Sequence, residues 1–329
     1  MSQFRKIFLI VLLTSLACQS QLIAPTATPI PTLTATASLT PTATLTPEPT
    51  LPPTPAPLAR RVLILSIDGF RPDAIPLAPM PNLTALLQNS AYSLTAQTIH
   101  PSATLPAHAS MLSGLCPDKH GVDWNDYLPE LGFANMTDIF DLAHDAGMQT
   151  AMFVGKEKLR QLVEPEDTDI FQYINDRDLV ITDHIIQNFP ADFRLMFVHF
   201  PTTDWMGHEY GWLSGEQLSV LFRADQALAK LLAELDARGI RNETLIIISA
   251  DHGGHETTHG SSLREDMTIP WIASGAGIRP AELFTSVSTI DTAATAAYAL
   301  GLPIPSEWDG VPVYEAFGLP AEMTPFQCQ

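Results

Sequence analysis

The sequence predicts an α/β protein with a central, mostly parallel sheet and helices on both faces. Three observations carry that expectation. The runs at 62–67, 195–200 and 244–250 are short and apolar, the first and last rich in β-branched residues, as strands buried on both faces are. Between them lie segments of helical period, the longest at 214–235, apolar at Leu218, Leu221, Leu228 and Leu231 or Leu232. Finally, each of the three runs leads into an acid: Asp68, Asp204 and Asp251.

Bulk composition narrows the function. With 17 Lys and Arg against 36 Asp and Glu, the formal net charge is −19. A surface this acidic repels a phosphate backbone, so binding to a nucleic-acid duplex is not expected. Only Cys18, Cys116 and Cys328 are present, too few for a disulfide framework or a thiolate zinc site. Pairing of Cys116 with Cys328 is open to an exported chain, and nothing in the sequence brings the two together.

The first 18 residues place Arg5 and Lys6 before an apolar run at 7–13, with Ala17 just ahead of Cys18. This is the layout expected of a secretory signal, too short to span a bilayer stably. Its Leu-Ala-Cys ending resembles a bacterial lipoprotein signal, in which Cys18 is lipidated, although Ser15 stands where that motif prefers Leu. Residues 19–59 form a Thr/Pro-rich stalk. Proline at this density forbids helix and withholds ladder donors, leaving an extended spacer of roughly 100 Å at most. The chain is therefore expected to be exported to a bacterial cell surface or periplasm, on a lipid anchor if Cys18 is modified. One domain, 60–329, is expected to follow.

Along that domain, the stretch 61–70 (RVLILSIDGF) holds the first strand, over 62–68, with Asp68 where it yields to Gly69. On this segment alone Asp68 is as readily a turn acid as a site residue at the carboxyl edge of a sheet. A short helix over 79–89 and a strand over 91–99 come next. Thr104 then precedes Pro106 and a helix-compatible stretch, 107–112. A hydroxyl there caps the helix or serves as a nucleophile where free N–H groups welcome a phosphoryl group. Local physics favours the cap. A loop at 121–127 contains Asn125, and a helix is expected over 135–147, ending at Gly147.

A strand at 150–154 leads to a charged, irregular stretch at 157–176, either flap or plain surface. After a helix near 178–188 and the strand at 195–200, a turn at 201–211 carries Asp204 and His208, four residues apart and able to meet on one metal ion. Asp225, inside the long helix, is expected to be a solvated acid. The strand at 244–250 runs into Asp251, His252, His255 and His259, three His and an Asp in nine residues. A strand at 267–273, a helix at 287–301 stopped by Gly301, and an edge strand or turn at 308–313 complete the domain.

Parallel strands deliver their carboxyl ends to one edge, so Asp68, Asp204 and Asp251 should converge. Like charges that close need cations. Two divalent ions answer the need, and a two-metal centre suggests phosphoryl or related ester transfer.

Three motifs stand in order: SIDGFRPD at 66–73, ATLPAHASMLSGLCPDKHG at 103–121, and DWMGHEYG at 204–211 followed by SADHGG at 249–254. In these the domain, from 62 to about 313, resembles the alkaline phosphatase superfamily, and within it the type I phosphodiesterase/nucleotide pyrophosphatase family. The resemblance implies an alkaline-phosphatase-like fold and two metal ions, zinc foremost. Asp68, Thr104, Asp251 and His252 would hold one ion, with Thr104 as nucleophile. Asp204, His208 and a third His would hold the other. In the nucleotide pyrophosphatase branch that His lies much later, whereas here none follows His259. Related members of the superfamily place a ligand His shortly after the Asp-His pair, so the resemblance points to His259, with His255 in reserve.

Asn125 matches the family's Asn donor to a non-bridging phosphoryl oxygen. A sulfatase is disfavoured, because Thr104-Leu-Pro-Ala lacks the Cys or Ser and the Arg of the sulfatase motif. The activity implied is hydrolysis of small phosphodiester or phosphoanhydride substrates, nucleotides among them, through a phospho-threonine intermediate. Arg and Lys are sparse near the motifs, but Lys119 and Lys156 keep a phosphomonoesterase open. A non-catalytic stalked binding protein is the remaining alternative. No oligomeric state is implied.

Overall fold

The computed structural model describes residues 57–321 and 328. The expected signal and the stalk as far as residue 56 lie outside the described residues.

Eight strands form one sheet: β1 (Arg61–Ile67), β2 (Ser90–Gln97), β3 (Thr150–Val154), β4 (Ile170–Tyr173), β5 (Leu195–Phe200), β6 (Thr244–Ser249), β7 (Thr268–Gly275) and β8 (Ala281–Glu282). Their order is β4-β3-β5-β1-β6-β7-β2-β8. All pairings are parallel except those of β7, which runs against β6 and β2. Every residue of β1, β5 and β6 is buried, as strands covered on both faces must be. Each fully buried Ile or Leu in them contributes about 1.5–3 kcal/mol by leaving water, so these strands form the rigid centre.

Nine helices are described: α1 (Pro81–Leu87), α2 (Thr104–Ser113), α3 (Pro117–His120), α4 (Ile139–Asp145), α5 (Asp178–Gln187), α6 (Thr202–Tyr210), α7 (Gly215–Ala237), α8 (Arg264–Met267) and α9 (Asp291–Leu300). They fall into two packed groups. Helices α1, α5 and α6 meet α7, while α2 meets α3, α4 and α9. The two groups make the helical layers on either side of the sheet, as the sequence predicts.

Several local expectations change. The stretch 201–211 is the helix α6 rather than a turn, which puts Asp204 and His208 on one helical face. The irregular stretch 157–176 holds a 3₁₀ segment, Glu157–Leu162, with Leu159 and Leu162 fully buried, and then the edge strand β4. It is packed structure rather than flap. Instead of an edge strand, 308–313 is irregular chain, and β8 is the short edge. Asp225 is fully buried, not solvated: it accepts from the backbone N–H groups of Asn82 (3.2 Å) and Leu83 (2.7 Å) and from the Asn82 amide (2.7 Å), capping α1. Cys116 and Cys328 form a disulfide with Cα atoms 5.3 Å apart, a proximity that no spacing rule could give.

Candidate metal centre

Four neighbouring strands, β3, β5, β1 and β6, end at the same edge of the sheet. Asp68 directly follows β1, Asp204 lies in the first turn of α6 after β5, and Asp251 and His252 follow β6. Gly69 takes a left-handed turn after Asp68, where a Cβ would lie 3.2 Å from the Asp204 Cα. This lets the first two strand ends close on one another. Thr104 reaches the same place as the first residue of α2, after the crossing from β2.

All three carboxylates are buried, and each has one oxygen committed and one free. Asp68 Oδ2 accepts from His199 Nε2 (2.9 Å) and is paired with Lys156 Nζ (2.6 Å). Asp204 Oδ2 takes Lys156 Nζ at 2.6 Å, and Asp251 Oδ1 takes the Gly69 N–H at 3.1 Å. The other oxygens, Asp68 Oδ1, Asp204 Oδ1 and Asp251 Oδ2, are buried with no hydrogen-bond partner among the described residues.

Those three oxygens face imidazole nitrogens. His252 Nε2 lies 3.4 Å from Asp68 Oδ1 and 3.3 Å from Asp251 Oδ2. Asp204 Oδ1 lies 3.4 Å from His208 Nε2 and 3.7 Å from His259 Nε2. In each His, Nδ1 donates to a backbone carbonyl: Thr257 for His208 (3.0 Å), Gly253 for His252 (2.7 Å) and Ser102 for His259 (2.8 Å). The Nε2 lone pairs are thereby left to face the orphan oxygens, the arrangement by which outer hydrogen bonds orient metal-binding His.

The donor set fits divalent ions. Two ligands about 2.0–2.1 Å from a tetrahedral zinc lie about 3.3 Å apart, close to the spacings here. Asp68, Asp251 and His252 form one cluster of converging ligand atoms, and Asp204, His252 and His259 form another. His252 reaches both and stacks on His259 with ring centroids 3.7 Å apart. His208 is more exposed and enters through Asp204 alone, on the helical face of α6. His255 instead binds Asp266 at 2.7 Å, so the structure places His259, not the reserve, beside Asp204.

The electrostatics agree. Burial lowers the pKa of His252, and burial together with His252 lowers that of His259 to about 4, so both rings are neutral donors near pH 7. Burial and the Asp68 charge raise Asp251 well above the usual carboxylate range. Asp68 goes the other way: burial resists ionisation, but Lys156 and His199 outweigh it. One ammonium does not neutralise three carboxylates, and two unit charges 4 Å apart repel by about 4 kcal/mol at an effective dielectric of 20.

Thr104 is not a cap. The N-cap of α2 is Ala103, which makes no side-chain cap bond. The Thr104 hydroxyl lies 3.5 Å from His252 Nε2 and 3.2 Å from Lys156 Nζ, at the positive end of the helix. His108, one turn on, holds the Thr104 carbonyl at 2.7 Å through Nδ1 and meets the Ser66 hydroxyl at 2.8 Å through Nε2, tying α2 to β1.

Asn125 joins the site from its loop. Its Oδ1 accepts from the Leu105 N–H (2.9 Å) and from Lys158 Nζ (3.1 Å), which leaves the amide N–H₂ uncommitted among the described residues. Lys158 and His199 escaped the sequence reading: Lys158 stood in a stretch read as irregular, and His199 inside a strand read as core. Lys119 pairs with Asp309 at the surface and is not part of the site.

The chain matches the family described as type I phosphodiesterase / nucleotide pyrophosphatase over residues 62–142 and 150–267. It is 30% identical over 279 residues to the human GPI ethanolamine phosphate transferase 2 catalytic subunit, covering 77% of this chain and 27% of that protein. It is 25% identical over 222 residues to a venom phosphodiesterase of Macrovipera lebetinus, covering 58% and 25%. It therefore spans about a quarter of the length of these relatives. Among solved structures, it is similar to murine ectonucleotide pyrophosphatase/phosphodiesterase 5 in an inactive threonine-to-alanine form in complex with AMP. That match has a TM-score of 0.67 and 16% identity, covering 78% of this chain and 98% of the other.

Proposed function

Because this chain belongs to the type I phosphodiesterase / nucleotide pyrophosphatase family, we propose that it hydrolyses phosphodiester or phosphoanhydride bonds of small substrates, nucleotides among them, through a phospho-threonine on Thr104. One observation carries this reading: three buried carboxylates turn their orphan oxygens to the Nε2 atoms of His208, His252 and His259 beside the Thr104 hydroxyl. Asp68, Thr104, Asp251 and His252 would hold one divalent ion, and Asp204, His208 and His259 the other. Zinc, which suits carboxylate and imidazole donors, would supply Lewis-acid charge that lowers the hydroxyl pKa and neutralises the leaving oxygen.

The chain's own residues do the rest. The Thr104 hydroxyl loses its proton to solvent, and its oxygen bonds to phosphorus. The bond from phosphorus to the leaving oxygen breaks, and the electron pair goes to the leaving group. Asn125 offers its amide N–H₂ to a non-bridging oxygen. Water then bonds to phosphorus, the Thr104 oxygen–phosphorus bond breaks, and the hydroxyl is restored. The inactive threonine variant and the AMP of the murine neighbour are in keeping with a threonine nucleophile and a nucleotide-sized substrate.

A second reading, a phosphomonoesterase, is favoured by the two ammonium groups of Lys156 and Lys158 beside Thr104 and Asn125. Positive groups suit the doubly charged monoester. Faster turnover of p-nitrophenyl phosphate than of bis-p-nitrophenyl phosphate would select it. We also propose export, with residues 1–18 as signal, Cys18 as a lipid anchor and 19–59 as a stalk. The Cys116–Cys328 disulfide supports this, since such bonds persist in oxidising compartments.

The Thr104→Ala protein, zinc-replete, should lose turnover of bis-p-nitrophenyl phosphate while keeping its bound metal. Turnover at the parent's rate would refute the assignment.

A further inference from the structure

We propose that Lys156 is a catalytic residue of this site, a fixed ammonium that bears the negative charge developing on the Thr104 oxygen and the phosphoryl group. The proposal rests on Thr104 as the nucleophile.

Its placement is built rather than incidental. Gly155, which follows β3, sits so close to Pro201 that a Cβ would lie 2.3 Å from the ring. Its N–H donates to His199 Nδ1 at 3.2 Å, so the His199 proton resides on Nε2, where it is given to Asp68 Oδ2 at 2.9 Å. One imidazole thus ties the residue before Lys156 to the carboxylate that Lys156 pairs with. A fourth strand end is thereby pinned to the first.

From there Lys156 Nζ donates to Asp204 Oδ2 at 2.6 Å and to Thr104 Oγ1 at 3.2 Å, and its charge is paired with Asp68 Oδ2 at 2.6 Å. The carboxylate oxygens it uses are those turned away from the imidazoles. It therefore competes with no cation for Asp68 Oδ1 or Asp204 Oδ1. The side chain is only 11% exposed, which keeps the charge poorly screened. Its Nζ donates to the Thr104 oxygen rather than accepting from it. Its contribution is a positive charge in hydrogen-bond reach of the oxygen that attacks, preorganised before substrate arrives.

The test uses the full-length, zinc-replete protein. Lys156→Met should lower kcat for bis-p-nitrophenyl phosphate roughly 100-fold or more, the scale of losing one preorganised donor, with bound metal at the parent's level. In the Thr104→Ala background, the same change should weaken calorimetric binding of inorganic phosphate at least roughly tenfold, equivalent to about 1.4 kcal/mol. Should the Met variant fail to fold, Lys156→Gln removes the charge while keeping a polar end, and the same readings apply. A kcat within threefold of the parent would overturn the proposal, as would a loss of activity that merely tracks lost metal. If the Lys156 variant keeps its rate while the parent turns over normally, this inference alone fails. An inactive parent overturns both this inference and the reading beneath it.

Discussion

Asp178 is a buried acid outside the metal centre, and it makes a local account of charge testable. Its Oδ1 accepts from the Thr202 hydroxyl (2.6 Å) and backbone N–H (3.2 Å), while Oδ2 has no partner among the described residues. Burial raises its pKa to about 6 against those hydrogen bonds. A carboxyl whose folded pKa exceeds its unfolded value of about 3.9 binds protons more tightly when folded. The stability this gives is complete below the unfolded pKa and is lost as pH rises through 6. Asp178→Asn keeps an acceptor for Thr202 and removes the cost of ionisation. The variant should exceed the parent in urea stability at pH 8 by on the order of 2–3 kcal/mol, and the gain should shrink to about 0.5 kcal/mol at pH 4. An equal difference at both pH values would contradict this. At the same scale, Thr104 shows where a sequence stops being legible. Capping and nucleophilic attack ask for the same hydroxyl at the same helix end. The choice turns on the backbone of Ala103, which takes the cap position itself.

Among the elements, apolar period was a sound guide wherever burial alone decides. The strands β1, β3, β5 and β6 and the helix α7 stand where their patterns put them. Elements that depend on remote partners were harder to read. The helix α6 has little apolar signature, and β4 is a half-buried edge strand that only its pairing with β3 reveals. Asp225 is the clearest case, since a charged residue on a helix is ordinarily solvated and only the approach of α1 gives it three donors. Asp225→Ala would leave two backbone N–H groups at the start of α1 without that partner. Unmet buried donors cost about 1–3 kcal/mol each, so the variant should lose roughly 2–4 kcal/mol in chemical denaturation. A change below about 0.5 kcal/mol would show the cap to be dispensable.

Across the whole molecule, parallel topology turns separate sequence motifs into one site. Asp68, Asp204 and Asp251 lie far apart in the chain yet meet because β1, β5 and β6 are neighbours running the same way. That much was legible, and His259, which the resemblance pointed to, lies beside Asp204. The outer ring was less so: Lys156 was flagged only as a loose candidate, while Lys158 against the Asn125 loop and His199 between strand ends make contacts that leave no local pattern. The most direct measurement is rapid acid quench of the metal-replete protein during turnover of bis-p-nitrophenyl phosphate, with the covalent adduct mapped by mass spectrometry. A p-nitrophenyl phosphoryl adduct on Thr104, absent from Thr104→Ala, is the predicted result. Turnover with no adduct at any quench time, or an adduct on another residue, would contradict the account.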